Sequence, residues 1–183
     1  KDIDNGGQGA PLAPIYHKKI IKDLKINLPG VIINIGGITN LSYWDGHNLL
    51  GFDVGPGNNL MDNFMKIKFK KSFDKDGIFA SQGKPNVNLI NKFCENIFFK
   101  TSPPKSLERN QLINNYYYKK ILLLDPFDCM STLSLLTTET IKISFRFLPF
   151  KPKTVIIVGG GQHNKFLVDT IKKHLHTNVF VSN

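Results

Sequence analysis

Glycine pairs interrupt apolar runs of this 183-residue chain at points where a ligand could approach the backbone. Gly36-Gly37 separates two β-branched runs, and such a turn exposes backbone N–H groups that can bind an anion. The hydroxyl of Thr39 and the amide of Asn40 can add contacts to the same ligand. A plain hairpin turn that needs positive φ angles explains these glycines equally well.

A second cluster, Gly159–Gly161, follows an apolar run and precedes a predicted helix. This order presents the free N–H groups of a helix N-terminus, next to Asn164, to a ligand. The spacing matches neither the dinucleotide fingerprint nor the phosphate-binding P-loop. An adenine or a ribose can lie against a backbone without side chains, but close packing of helix on strand also favours glycine.

Carboxylates accompany two further glycine-rich segments. Asp53 precedes Gly55 and Gly57, and it can reach a magnesium ion or cap the following turn. Asp2 and Asp4 lie beside glycines in "DNGGQGAPL", where a carboxylate can act as a general base or simply form a turn. Four such bends at strand ends together favour a nucleotide site, because ligands of α/β sheets bind at strand ends.

The elements that must position these residues begin with three short strands, predicted at 31–35, 41–44 and 49–52. The Asp-Gly pair at 45–46 indicates a hairpin between the second and third strands, so the three strands should be antiparallel. A helix follows Gly57, with Asn58 or Asn59 as its cap. Its predicted core residues are Leu60, Phe64 and Ile67.

Three more helices are predicted further along the chain. One covers 87–99 with Leu89, Phe93 and Ile97 on its core face, and residues 111–124 are left unassigned. Asp125-Pro126 opens a long helix. Its residues at helical spacing form a core face: Met130, Leu133, Leu136, Thr140, Ile143 and Phe147. Strand 154–158, helix 165–174 and a strand from 178 follow, and strands joined through helices should pair in parallel.

Composition narrows the function classes. The net charge is +10, but the lysines are scattered and only two arginines occur, which favours solvated faces over a nucleic-acid surface. No apolar run approaches the roughly 18 residues of a membrane span. Cys94 and Cys129 are far apart and outside any metal-binding spacing, so buried free thiols in a reducing compartment are expected. These features predict a cytoplasmic protein without nucleic-acid or membrane partners.

Six motifs occur in one order along the chain: "GGQGAPL", "NIGGITNLS", "GFDVGPGNNLMD", "DKDG", "PPKS" and "VGGGQHN". In this order they resemble the anhydro-N-acetylmuramic acid kinases of bacterial cell-wall recycling. The resemblance covers nearly the whole chain. Thr39 and Gln162 stand where the family usually has alanine, and "PPKSLERNQ" departs from the family's commoner "PPKSTGRE".

The resemblance implies an α/β fold of the actin–hexokinase ATPase superfamily, which is ribonuclease H-like, with ATP and the sugar in a cleft between two lobes. It makes Gly36-Gly37 the second phosphate turn and Gly159–Gly161 the adenosine loop. ATP and Mg²⁺ are the implied cofactors, with the metal ligands left unassigned. The implied cofactor-binding residues are Gly36, Gly37, Thr39, Asn40, Asp53, Gly55, Gly57, Gly159, Gly160, Gly161 and Asn164.

The family reaction implied by the resemblance turns 1,6-anhydro-N-acetylmuramic acid, water and ATP into N-acetylmuramic acid 6-phosphate and ADP. The family's base for the water is an aspartate just before "GGQGAP", and Asp2 matches that position. Asp4 stands where the family carries a small residue, which makes it the weaker candidate.

Residues 1–183 are expected to be mainly the second, C-terminal lobe of the two-lobed enzyme. No "GTSxDG"-type loop of a first lobe occurs, and the family continues past Asn183. We therefore expect no turnover by this chain alone, and a homodimer is an expectation from the resemblance only. Two alternatives remain: another sugar or acetate kinase of the same superfamily, and a non-catalytic lobe that binds nucleotide or glycan.

Overall fold

A five-stranded mixed sheet forms the centre of the computed structural model, which describes residue 21 and residues 26–182. The strand order is β3-β2-β1-β4-β5. Their bounds are β1 Gly30–Ile35, β2 Ile38–Trp44, β3 Leu49–Pro56, β4 Thr154–Val158 and β5 Asn178–Val181.

Strand β1 joins the two halves of the sheet. It pairs antiparallel with β2 on one side and parallel with β4 on the other, and β5 extends the parallel half. The predicted order of three antiparallel strands followed by parallel strands is therefore confirmed. Strands β2 and β3 are longer than predicted because Ile38 pairs with Pro56, which extends the ladder up to the glycine turns.

Seven α-helices lie within residues 26–182. Their bounds are α1 Asn58–Phe64, α2 Val87–Cys94, α3 Ile97–Lys100, α4 Arg109–Ile113, α5 Tyr116–Ile121, α6 Pro126–Ser144 and α7 Lys165–His174. Helix α1 continues into a π-helical turn at Met65–Phe69. The segment 111–124, open in the sequence, contains most of α4 and all of α5. Within residue 21 and residues 26–182, no helix has the length and apolar character needed to cross a membrane.

The main core lies between one face of the sheet and the helices, with α6 at its centre. Asp125 caps α6 and Pro126 begins it, as predicted. Of the predicted core face, Met130, Leu133, Leu136 and Thr140 are buried, while Ile143 and Phe147 are partly buried. A smaller cluster containing Ile21 and Trp44 covers the opposite face of the sheet.

The prediction that Ile67 faces the core is wrong, because its side chain is 62% exposed. The π-helical turn adds one residue to the helical repeat, so Phe69 rather than Ile67 continues the face of Phe64. The Phe69 ring packs edge-on against Phe64 and lies 4.5 Å from the Phe79 ring, measured between centroids.

The single helix predicted at 87–99 is two helices, α2 and α3. Asn96 interrupts it, since its side chain accepts a hydrogen bond from Phe98 N and so caps α3. The break rotates Ile97 to the surface, where it is 74% exposed, whereas Ile90 and Phe93 are buried.

Both cysteines are free thiols, but only Cys129 is buried as expected, and Cys94 is half-buried.

Candidate functional site

The two central glycine turns lie side by side at one edge of the sheet. Strands β1 and β4 run parallel with Asn34 opposite Val158. The chain therefore leaves both strands at the same end, into Gly36-Gly37 after β1 and into Gly159–Gly161 after β4. This is the edge where ligands of α/β sheets bind.

The Gly36-Gly37 turn rests on the N-terminus of α1. Its carbonyl oxygens accept hydrogen bonds from Gly57 N at 3.1 Å and from Asn58 N at 2.8 Å. A Cβ atom on Gly57 would lie 2.3 Å from the Gly36 carbonyl oxygen, so glycine permits this contact of two backbone segments. Because the turn occupies these N–H groups, α1 does not offer them to a ligand.

Thr39 and Gly55 pack next to the Gly36-Gly37 turn. The Thr39 hydroxyl is fully buried and donates to the Pro56 carbonyl at 3.1 Å, which ties β2 to β3. A Cβ atom on Gly55 would lie 2.7 Å from Oγ1 of Thr140 on α6. In this structure both residues serve close packing beneath the turn.

The second turn has a backbone that only glycine adopts readily. Gly159 has φ +82° and ψ −177°. A Cβ atom there would lie 2.4 Å from Asn34 Oδ1. Gly160 is exposed, and Gly161 packs on Ile35, whose Cγ2 atom would lie 2.4 Å from an added Cβ. Asn164 caps α7 by accepting a hydrogen bond from Leu167 N at 3.0 Å.

Two residues that the sequence interpretation did not assign to the ligand site lie between the turns. Asn34 is the polar residue of an otherwise apolar strand and lies against Gly159. Asn58, considered only as a helix cap, instead donates its side-chain amide to Ile35 O at 3.3 Å, and Gly57 occupies the cap position. The single polar side chain in "GVIINI" is the signal that could have identified Asn34.

Asp53 lies within β3, in register with Asn40, which is itself in register with Asn34. These three polar side chains therefore form a row across one face of the sheet. The Asp53 carboxylate accepts a hydrogen bond from Leu107 N at 2.8 Å, and Asp53 N donates to Lys105 O at 3.1 Å. Burial raises the pKa of Asp53. The carboxylate holds the loop around Lys105 on the outer edge of β3 and does not cap the following turn.

Lys105, from the "PPKS" motif, is only 8% exposed. Its ammonium donates to Phe98 O at 3.0 Å and lies 4.3 Å from the centroid of the Phe147 ring. Burial, together with the neighbouring Arg146 guanidinium, lowers the pKa of Lys105 to about 8. Lysine in this motif therefore anchors the loop through desolvated cation–π and carbonyl contacts.

Replacing Lys105 by methionine should change the pH dependence of stability. A lysine whose pKa falls from 10.5 in the unfolded chain to about 8 in the folded one binds fewer protons when folded. Its contribution to the free energy of unfolding therefore rises as the pH rises from 8 to 10.5. We expect the wild-type protein to gain stability relative to Lys105→Met across this interval, as measured by urea unfolding.

The exposed Lys100→Met substitution is the control for this comparison and should give a pH curve parallel to that of the wild-type protein. Burial also raises the pKa of Cys129 to about 12, but this thiol is common to all three proteins and cancels in the differences. Parallel curves for the wild-type protein and Lys105→Met would contradict the desolvated state of Lys105.

No group of three or more His, Cys, Asp or Glu side chains able to hold a metal ion occurs in the part of the chain that the structure describes. Mg²⁺ commonly binds through one or two carboxylates and the phosphates of a nucleotide, so such a group is not required for a metal that arrives with ATP. Asp2 and Asp4, the candidate bases, lie outside the described residues.

A cavity of about 730 Å³ opens beside the second turn, within the size range of small-molecule sites. Gly160 and Asn164 line it, together with Asn58 and Asp62 of α1. Burial raises the pKa of Asp62, while the charge of Lys66 opposes this shift. The cavity therefore adjoins both the second turn and Asn58, which contacts the end of β1.

Comparison with known proteins identifies relatives of this chain. The family model described as anhydro-N-acetylmuramic acid kinase matches residues 1–183. Curated kinases of that name from Hydrogenovibrio crunogenus and Nitrobacter winogradskyi are each 37% identical to the chain, over 178 and 175 residues. These alignments cover 95% and 94% of the chain but 48% and 46% of the relatives, so the chain spans about half their length.

Solved structures share the fold at low sequence identity. The activator of 2-hydroxyisocaproyl-CoA dehydratase from Clostridium difficile, solved with bound ADPNP, superposes with a TM-score of 0.54 at 15% identity. The match covers 86% of this chain and 55% of that one. The expected actin/hexokinase-like α/β fold, a five-stranded mixed sheet with flanking helices, is therefore confirmed. By its family match and its relatives, the chain belongs to the anhydro-N-acetylmuramic acid kinase family.

Proposed function

We propose that this chain is the nucleotide-binding lobe of an ATP-dependent kinase that acts on 1,6-anhydro-N-acetylmuramic acid. One structural observation carries the proposal for a member of this family: the parallel pairing of β1 and β4 brings two glycine turns to one edge of the sheet, and a cavity opens beside the second of them. The relatives carry the name of this kinase. The expected products are N-acetylmuramic acid 6-phosphate and ADP.

In this proposal the two turns divide the nucleotide between them. Gly37 is exposed and Gly36 half-buried, so the first turn can bring backbone against the phosphates. Gly160 and Asn164 face the cavity, where the nucleoside would lie. Thr39, Gly55, Gly57, Gly159 and Gly161 would act indirectly, because their described contacts set the shape of the turns.

The sugar chemistry needs a base and an electrophile. We propose that Asp2 removes a proton from water as the water attacks the anomeric carbon, while O6 of the opening anhydro bridge takes the γ-phosphoryl group. Mg²⁺ would offset the charge on the phosphates. Asn40 and Asp53 lie on the sheet face that carries Asn34, and in this proposal they contact the bound ligands or their metal.

Nucleotide binding tests the first part of the proposal. We expect the chain to bind ATP saturably in the presence of Mg²⁺, as measured by calorimetry. Gly160→Leu should weaken this binding strongly, since Gly160 lines the cavity and a large side chain there would fill it. Lys172→Leu, on the exposed face of α7, is the control and should bind as the wild-type chain does.

Turnover tests the second part. We expect no phosphorylation of the anhydro sugar by residues 1–183 alone, and turnover by a protein that also carries the other half of its relatives' length. In that longer protein Asp2→Asn should abolish turnover and leave ATP binding intact. Turnover of another sugar or of acetate in its place would establish a different kinase, and ATP binding without any turnover would establish a non-catalytic lobe.

A further inference from the structure

The cavity has a second wall that the glycine turns do not explain. Residues 73–76 also line it, and they comprise Phe73 and the first three residues of the "DKDG" motif. The sequence interpretation assigned this motif no role and placed it in a polar loop. We call residues 73–77 the cavity loop.

Hydrogen bonds to the Asp74 side chain fix the position of the cavity loop. The Asp74 carboxylate is 5% exposed and accepts hydrogen bonds from Phe79 N at 3.0 Å and from Ala80 N at 2.9 Å. Two backbone bonds to one buried carboxylate hold the start of the loop in a single position. The loop is therefore part of the rigid framework of the cavity.

The cavity loop also presses against the cap of α7. Gly77 has φ +73°, and a Cβ atom there would lie 2.4 Å from Asn164 Oδ1. Asp76 adopts a left-handed conformation with φ 56° and pairs with Lys165 at 3.2 Å. A left-handed backbone at a residue other than glycine is uncommon and concentrates at functional sites. These contacts join the loop to the turn that carries Asn164.

Phe73 is the apolar side chain of this wall, and it is 59% exposed. Neighbouring aromatic residues behave differently, since the rings of Phe69, Phe79 and Phe127 pack against one another. Because the hydrogen bonds of Asp74 fix the backbone next to Phe73, the Phe73 side chain lines the cavity and does not join that cluster. An aromatic ring that is solvent-exposed on a rigid wall is suited to stacking against a flat ligand.

We propose that Phe73 stacks on the base of the bound nucleotide and that the cavity loop is the base-binding wall of the site. This inference rests on the proposed nucleotide-binding function and deepens it.

The charged side chains of the cavity agree with a nucleotide whose base, and not its phosphates, lies there. Three aspartates, Asp62, Asp74 and Asp76, line it with two lysines. This lining carries one more negative than positive side chain, which favours a neutral base over phosphate, so in this proposal the phosphates lie on the Gly36-Gly37 turn.

The test compares Phe73→Ala with Phe150→Ala, a control that removes an aromatic side chain of similar exposure, 63%, outside the cavity lining. Calorimetry with ADP and with inorganic tripolyphosphate separates the base from the phosphates. Phe73→Ala should weaken ADP binding about tenfold, the usual effect of losing one stacking ring, and leave tripolyphosphate binding unchanged. Phe73→Trp should retain ADP binding, and Phe150→Ala should change neither ligand.

The outcomes separate this inference from the proposed function. If Phe73→Ala binds ADP as tightly as the wild-type chain does, the stacking role is wrong and the nucleotide site stands. If Phe73→Ala loses ADP and tripolyphosphate equally, the residue does not act on the base and the inference also fails. If the wild-type chain binds neither ligand, the proposed nucleotide-binding function itself is overturned. Urea unfolding should show equal stability for both alanine variants and the wild-type chain.

Discussion

Gly57→Ala should lower the free energy of unfolding by about 3 kcal/mol and weaken ATP binding at least about tenfold. The added methyl group would lie 2.3 Å from the carbonyl oxygen of Gly36, and that neighbour is backbone, so no side-chain rotation can relieve the contact. The helix N-terminus and the turn must separate, which breaks the hydrogen bond from Asn58 N to Gly36 O. Displacement of the turn then removes the backbone surface proposed to contact the phosphates.

Gly37→Ala is the matched control for Gly57→Ala, because it adds the same methyl group to the same pair of segments. Its nearest neighbour would be Asn59 Cβ at 3.7 Å, an ordinary contact. We expect urea unfolding of Gly37→Ala to resemble that of the wild-type chain, while calorimetry shows weaker ATP binding if the phosphates lie on this turn. Equal stability of Gly57→Ala and Gly37→Ala would contradict the backbone contact.

Gly159→Ala should also be destabilising by about 3 kcal/mol, for two separate reasons. Its φ of +82° with ψ of −177° is a conformation that residues with a side chain rarely adopt. The methyl group would in addition meet Asn34 Oδ1 at 2.4 Å and Ile35 O at 2.9 Å. The turn after β4 would move, and with it Gly160, so ATP binding should fall along with stability.

A double-mutant comparison separates strain from contact at Gly159. Adding Asn34→Ala to Gly159→Ala removes the side-chain clash but leaves the contact with Ile35 O and the backbone strain. The second substitution should therefore restore only part of the stability that Gly159→Ala loses. Gly160→Ala serves as the control within the same turn, because its nearest neighbour would be Asn58 Nδ2 at 3.4 Å. If the double variant were as stable as Asn34→Ala alone, neither the backbone strain nor the contact with Ile35 O would contribute to the loss.

Sequence patterns were sufficient where local chemistry decides the structure. The apolar run at 154–158 is β4 and the segment 165–174 is α7, both with the predicted bounds, because a buried run between glycine and proline has few alternatives. Asp125 and Pro126 likewise begin α6 as predicted, since capping is a local interaction. The glycine turns were found for the same reason.

Patterns failed where one residue changes the helical phase. A π-helical turn after Phe64 and a cap at Asn96 each rotate the residues that follow, which exposes Ile67 and Ile97. The cavity loop was missed because its structure depends on distant partners. Asp74 reaches Phe79 and Ala80 within its own segment, but Gly77 is constrained by Asn164, nearly ninety residues away in sequence. No spacing rule connects these two residues before the fold is known.

The register between β1 and β4 has a mechanical consequence. Both turns grow from adjacent strands locked by one hydrogen-bond ladder, from Gly30 opposite Thr154 to Asn34 opposite Val158. The ladder therefore sets the spacing of the two strand ends from which the turns leave. In the proposed kinase, an opening and closing motion would therefore be a hinge movement that carries both turns, and the two ends of a nucleotide bound between them, together.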